Sequence, residues 1–121
     1  MQPDSMKTLL SVTAILEAVT GLTLIAAPGR VATVLLGASL NSPGSQLVAQ
    51  IAGAAMLSLA LACWLSRQGD GTPAILKAMV LYNAVVAVLL VYGNLVLALS
   101  GMGLWPVVFV HIGLGSWCVA A

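Results

Sequence analysis

Two ionisable side chains, Glu17 and His111, lie deep inside apolar runs of the sequence, where they are able to move a proton or bind a polar group. Glu17 comes nine residues after Thr8, where its run begins, which places it about 14 Å along a helix. His111 comes seven residues after Leu104, where the last run begins, at a matching depth. An acid at this depth in a membrane is costly unless it is protonated, paired or turned toward the protein interior. The pair therefore predicts either a proton or ligand site, or a hydrogen-bonded contact that only fixes helix packing.

Amide and hydroxyl side chains repeat at helical spacing in the same runs. Thr13, Glu17 and Thr20 follow the spacing i, i+4, i+7 and make one polar stripe. Asn83 and Asn94 are eleven residues apart, so both fall on one face of a helix. Such groups either line a polar pocket or bond neighbouring helices, at about 0.5–2 kcal/mol each. The candidates for a ligand or proton site are Glu17, His111, Asn83, Gln50, Thr13, Thr20 and Asn94.

Motifs of catalysis, metal binding and nucleic-acid recognition are missing from the sequence. Cys63 and Cys118 stand alone in apolar runs, without the CxxC spacing of a metal or redox site. The four basic residues form no cluster that would hold a phosphate backbone. We therefore predict no catalytic residue, no metal and no nucleic-acid partner, and we expect that the chain is not an enzyme.

The elements that carry these side chains are predicted to be membrane-spanning helices. Of the 121 residues, 61% are hydrophobic and only 6% are charged, which is too few charges for a water-facing surface. A bilayer core of roughly 30 Å takes about 20 helical residues. The apolar runs have this length, so we predict an all-α membrane protein, a bundle of four transmembrane helices forming one domain over residues 1–121. The predicted spans are residues 8–27, 46–66, 74–100 and 104–121.

The connection between the first two spans contains a weaker helical pattern. Pro28 is able to serve as a first helical residue, and Val31, Val34 and Leu35 repeat at helical spacing. We expect a short interfacial helix that ends at Gly37 or at residues 41–44, although a plain apolar loop would fit the same residues.

The basic residues predict the orientation of the four spans. Lys7, Arg67 and Lys77 fall on one side of the bundle, and only Arg30 falls on the other. Because Lys and Arg are enriched in cytoplasmic loops, both termini are expected in the cytoplasm.

A set of scattered residues along the chain resembles small four-span bacterial membrane proteins of no assigned activity. The layout is also similar to DoxX-like four-helix membrane proteins, some of which are linked to quinone-dependent redox complexes. The resemblance implies an integral protein of the bacterial cytoplasmic membrane. Its residues are Glu17 with Gly21, Pro28, Leu36-Gly37, Gly53, Ala62-Cys63-Trp64, Tyr82-Asn83, Leu104-Trp105-Pro106 and His111.

Three functions remain open from the sequence. We expect a non-catalytic bundle that binds a hydrophobic small molecule, a lipid or a partner protein. The first alternative is an oligomeric, proton-coupled transporter of small solutes that uses Glu17 and His111. The second is an accessory subunit of a quinone-linked membrane redox complex. No cofactor is predicted, and a quinone or a lipid is the bound molecule that would fit. The expected partners are the bilayer and either further copies of the chain or a larger membrane complex.

Overall fold

Five α-helices make up the fold in the computed structural model, which describes residues 3–121 and contains no strand within that range. The helices α1, α3 and α4 are each long enough and apolar enough to cross a membrane, and α5 is a shorter apolar helix. The prediction of an all-α membrane protein is confirmed at this level. The bounds are α1 Pro3–Ala26, α2 Pro28–Leu36, α3 Pro43–Ser66, α4 Thr72–Leu95 and α5 Leu104–Ala120.

Proline sets the start of α3 and α4, and for this reason these helices begin earlier than the apolar runs suggest. Pro43 opens α3, and Pro73 is the second residue of α4. Proline fits a first helical turn because the N–H that it lacks would have no partner there. Ser42 precedes α3 and accepts from the Ser45 N–H at 3.0 Å, which caps the helix.

The predicted third span is too long at its C-terminal end. It was expected to reach residue 100, but α4 ends at Leu95. Ala98 has a φ of 55°, a left-handed conformation that a right-handed helix does not contain. The Asn94 amide donates to the Leu99 carbonyl at 2.9 Å, and the Leu99 N–H donates to the Gly93 carbonyl at 3.0 Å. These bonds turn the chain back toward α5.

The short helix predicted between the first two spans is present as α2. It begins at Pro28 and ends at Leu36, and the next residue, Gly37, has a left-handed φ of 62° and closes the helix with a bond from its N–H to the Thr33 carbonyl. The loop between α4 and α5 holds its C-terminal end through backbone bonds: Ser100 donates to the Leu36 carbonyl at 3.0 Å and Gly103 to the Val34 carbonyl at 2.8 Å.

The helices pack as two pairs, α1 with α3 and α4 with α5, and each pair makes far more contacts internally than with the other. In the first pair, the backbones meet at two glycines: a Cβ on Gly21 would lie 2.7 Å from the Gly53 carbonyl oxygen. In the second pair, a Cβ on Gly115 would lie 3.2 Å from the Asn83 Cβ. Small residues thus allow close approach in both pairs.

The two pairs are joined at one end of the bundle by a compact core. We call this region the packed end. The Trp117 indole N–H donates to the Ser5 hydroxyl there at 3.3 Å, so the first turn of α1 and the last turns of α5 lie together. Both cysteines of the core are free thiols. The packed end consists of Leu9, Leu10, Ala14, Cys63, Leu76, Met79, Leu114 and Cys118.

Candidate functional site

A layer of polar side chains lies directly beyond the packed end. In α1, Glu17 follows Ala14 by one helical turn, and only 4% of its surface is exposed. Its carboxylate accepts a hydrogen bond from the Tyr82 hydroxyl of α4 at 3.2 Å. A carboxyl group buried in an apolar bundle needs such a partner, because neither water nor lipid supplies one there. Glu17 therefore ties α1 to α4.

Asn83 and His111 form the second contact of the layer, between α4 and α5. The Asn83 amide nitrogen donates to the Met79 carbonyl at 2.7 Å, one turn earlier in its own helix. The Asn83 oxygen faces the His111 Nδ1 at 2.8 Å. Both side chains are buried, at 1% and 9% exposure. The amide thus sets the orientation of the imidazole ring.

Tyr82 connects the two contacts. Its ring meets the His111 ring edge to face, with centroids 5.6 Å apart and planes at 70°. Glu17 and His111 therefore belong to one polar layer, but Tyr82 stands between them and the two do not bond directly. Tyr82 is not among the site residues predicted from the sequence. The available signal was its position beside Asn83 in the middle of an apolar run.

The other candidates lie apart from this layer or make local bonds. Thr13 is 1% exposed at the packed end, and its hydroxyl has no hydrogen-bond partner among residues 3–121. Thr20 donates to the Leu16 carbonyl of its own helix at 2.8 Å. The Gln50 amide donates to the Ile25 carbonyl at 2.9 Å, across the α1–α3 contact. Asn94 closes the turn after α4, as described above. Gln50 and Asn94 thus act in packing, and they are not joined to Glu17 or His111.

A large apolar cavity occupies the other half of the bundle, which we call the open end. Its volume is about 680 Å³, and all five helices contribute to its wall. Three polar side chains reach this wall, namely Thr20, Tyr82 and His111. A pocket of this size with a few converging polar groups is typical of a small-molecule site. The apolar wall includes Leu24, Val31, Ala32, Leu35, Ala52, Ala55, Met56, Leu59, Val86, Leu90 and Val107.

A second cavity of about 430 Å³ adjoins the first and shares Thr20, Met56 and His111 with it. It extends between α1, α2 and α5, and Arg30 lies on its wall. Helix α2 covers both cavities, since Val31 and Leu35 line each of them. The open end is therefore an apolar space that is partly open to its surroundings, and Thr20, Tyr82 and His111 form its floor.

Metal ligation finds no support in the described part of the chain: residues 3–121 contain no group of three or more His, Cys, Asp or Glu side chains that would hold an ion. The polar layer instead offers one carboxyl, one phenol, one amide and one imidazole, held by each other. Such groups are able to bind and orient a polar group of a ligand by hydrogen bonding.

Comparison with known proteins returns no relative. No family model, no curated protein and no solved structure matches the chain. The resemblance to small four-span bacterial membrane proteins and to DoxX-like proteins therefore stays a prediction.

Proposed function

We propose that the protein is a non-catalytic membrane bundle that holds an apolar small molecule in the cavity of the open end. The observation that carries this proposal is the 680 Å³ cavity with polar groups confined to its floor. All five helices border this cleft, and its volume lies in the range of sites that bind small molecules. A molecule with an apolar body and a polar end would contact both parts of this site.

The packed end bears on the transport alternative. Leu9, Leu10 and Met79 are fully buried there, so an oligomeric transporter would need a path between copies of the chain. A lipid, a quinone or a partner chain remains a competing occupant of the cavity. These alternatives predict different molecules in the purified protein, which the experiment below separates.

We also propose that the helices cross the bacterial cytoplasmic membrane four times, with both termini in the cytoplasm. The contact between Trp117 and Ser5 brings the first and last helices to the same end, which requires an even number of crossings. Since α1, α3 and α4 are long enough to span, α5 supplies the fourth crossing. Lys7, Arg67 and Lys77 lie at or near this end, on the side that the positive-inside rule assigns to the cytoplasm.

Reporter fusions at the C-terminus test this orientation. A green fluorescent protein fused there should be fluorescent in bacterial cells, and alkaline phosphatase fused there should be inactive, because the first folds in the cytoplasm and the second requires the periplasm. The reverse pair of results would exclude a cytoplasmic C-terminus.

Native mass spectrometry of the detergent-solubilised protein tests the binding function. The probe is pyrenebutyl methyl ether, an apolar molecule that lacks a hydrogen-bond donor. We expect the wild type to retain a single probe molecule. Ala55 lines the cavity, so Ala55→Leu should fill part of it and abolish retention. The matched control is Ala54→Leu, because Ala54 is exposed on the neighbouring position of the same helix and does not line the cavity.

The same spectra decide between the alternatives. Equal retention by wild type and Ala55→Leu would place the probe elsewhere and overturn the proposal. No retention by the wild type, with a further polypeptide bound in its place, would favour the accessory-subunit alternative. A lipid or quinone that is retained by the wild type and lost in Ala55→Leu would identify the natural occupant of the cavity.

A further inference from the structure

The orientation of His111 defines which type of hydrogen bond a ligand is able to make with it. Asn83 donates from its amide nitrogen to the Met79 carbonyl, so the atom that faces His111 is the amide oxygen. An amide oxygen is only an acceptor, and the His111 Nδ1 must therefore carry a hydrogen and donate it. This bond fixes the tautomer of the ring, in the way that second partners fix histidine ligands.

The tautomer also decides whether the other ring nitrogen, Nε2, carries a hydrogen. The neutral ring is the form to consider, because an imidazolium without a bonded carboxylate is costly in apolar surroundings. In this tautomer Nε2 is an unprotonated acceptor. It is separated from Nδ1 by one ring carbon, it has no hydrogen-bond partner among residues 3–121, and its residue lines the cavity. His111 therefore brings a free acceptor to the lining of the cavity.

We propose that the ligand is an apolar molecule with a hydroxyl group, and that this hydroxyl donates a hydrogen bond to Nε2 of His111. The inference rests on the binding function proposed above and adds the chemistry of the polar end. A hydrophobic alcohol or phenol of a size that fits the 680 Å³ cavity meets both requirements.

The remaining polar groups of the floor agree with this assignment. The Tyr82 hydroxyl already donates to Glu17, and the Thr20 hydroxyl already donates to the Leu16 carbonyl. Neither has a second hydrogen for a ligand, because a hydroxyl has one donor. A ligand whose polar atoms are only acceptors, such as an oxidised quinone, would thus meet an unprotonated Nε2 and gain no bond from it.

The membrane surroundings make this single bond decisive for selectivity. Lipid tails are as apolar as the cavity wall, so burial of hydrocarbon does not distinguish one apolar molecule from another. A hydroxyl dissolved in hydrocarbon lacks a partner, and an unsatisfied polar group is costly. The molecule that gains most by leaving the lipid is therefore one whose hydroxyl finds an acceptor inside the bundle.

A matched pair of probes tests the proposal. Pyrenebutanol and its methyl ether have the same apolar body, and only the alcohol has a hydrogen to donate. Competition between them for the detergent-solubilised wild type, read by native mass spectrometry, should favour the alcohol roughly tenfold, as expected for one satisfied bond. His111→Phe keeps a ring but removes the acceptor, and it should bind the two probes equally. Thr33→Val is the control, because Thr33 is exposed on α2 and donates only to its own helix.

Nitrogen NMR of the wild type supplies a second readout, which needs no variant and therefore does not depend on whether His111→Phe folds. The chain contains a single histidine, so histidine labelled with ¹⁵N reports on His111 alone. We expect a protonated Nδ1 and an unprotonated Nε2 without ligand. The Nε2 resonance should move upfield when pyrenebutanol is added, and it should stay in place with the ether.

Each result separates this inference from the binding function itself. Equal binding of the two probes by the wild type, or an Nε2 that carries the hydrogen, would overturn the hydroxyl assignment and leave the cavity as a binding site. A preference for the alcohol that persists in His111→Phe would move the acceptor away from His111 and also overturn it. Failure of both probes to bind the wild type would overturn the binding function and, with it, the assignment.

Discussion

The two ends of this bundle are built from the same kinds of residue but to different densities. At the packed end, leucine, methionine and cysteine side chains from α1, α3, α4 and α5 fill the space between the helix pairs. At the open end, the same helices and the extra helix α2 border about 680 Å³ of apolar space. The cavity is thus confined to one end and does not reflect loose packing throughout the bundle. We expect the packed end to contribute more to the stability of the bundle than the open end.

Removal of a large side chain should separate the two ends most clearly. Leu10 is fully buried at the packed end, so Leu10→Ala should lower the free energy of unfolding by about 2–5 kcal/mol. Leu35 lines the open end, and Leu35→Ala should cost clearly less, because this side chain already borders empty space and makes fewer contacts. Circular dichroism during titration with sodium dodecyl sulfate measures both values. Equal losses would mean that the cavity collapses around its wall in solution.

A smaller effect is expected at the glycines where α1 crosses α3 beside the cavity. A Cβ on Gly53 would lie 2.7 Å from the Gly21 carbonyl oxygen and 2.9 Å from the Leu24 Cβ. Gly53→Ala should therefore force the two helices apart and cost about 1–3 kcal/mol in the same titration. Gly113→Ala is the control, because nothing lies within 4 Å of its added carbon, and it should stabilise α5 by about 0.5–1 kcal/mol.

These two glycine variants refine the comparison of the ends. A large loss of unfolding free energy in Gly53→Ala would mean that the open end is wide only between the helix pairs and that α1 and α3 pack tightly against each other. A neutral result would instead show that α1 and α3 separate easily, and that the cavity has no rigid wall on that side.

The smallest effect is expected at Thr13, where the packed end contains one polar group without a partner. The hydroxyls of Thr20, Thr23 and Thr33 each donate to a carbonyl one turn earlier, but the buried Thr13 hydroxyl does not. Thr13→Val keeps the shape and removes the unsatisfied group, so the free energy of unfolding should rise by about 1 kcal/mol. Thr33→Val, which removes a satisfied hydroxyl, is the comparison. A loss of stability in Thr13→Val would reveal that a buried water or an internal partner satisfies this hydroxyl.

The sequence predicts the helices of this protein better than it predicts their ends or their partners. Long apolar runs predict membrane helices because backbone groups have no other partners in lipid. Pro28 and Gly37 likewise bound α2 as their conformational preferences require. The predicted end of the third span was wrong because the Asn94 amide donates to the Leu99 carbonyl, a local bond that hydropathy does not reveal.

The site was harder to predict, because depth in the membrane limits which residues meet but does not select them. Glu17 and His111 lie in one layer of the bundle, and yet each bonds to a neighbour on α4, Tyr82 or Asn83. Gln50 faces the α1–α3 contact and so never reaches the layer. The rotation of each helix decides these partners, and packing between helices sets that rotation. The cavity has no signal in the sequence, since the same apolar residues are able to fill or to line a space.

The attachment of α2 has a consequence for how this protein is able to evolve. The loop after α4 holds α2 through the Val34 and Leu36 carbonyl groups, which every amino acid possesses. Replacement of the α2 side chains that line the cavity therefore alters the size and shape of the space without breaking the backbone bonds that hold the helix. The contact between α2 and this loop is constrained, because an added carbon on Gly37 or Gly101 would collide with the opposing backbone. Substitutions on α2 are thus able to reshape the cavity while the architecture around it stays the same.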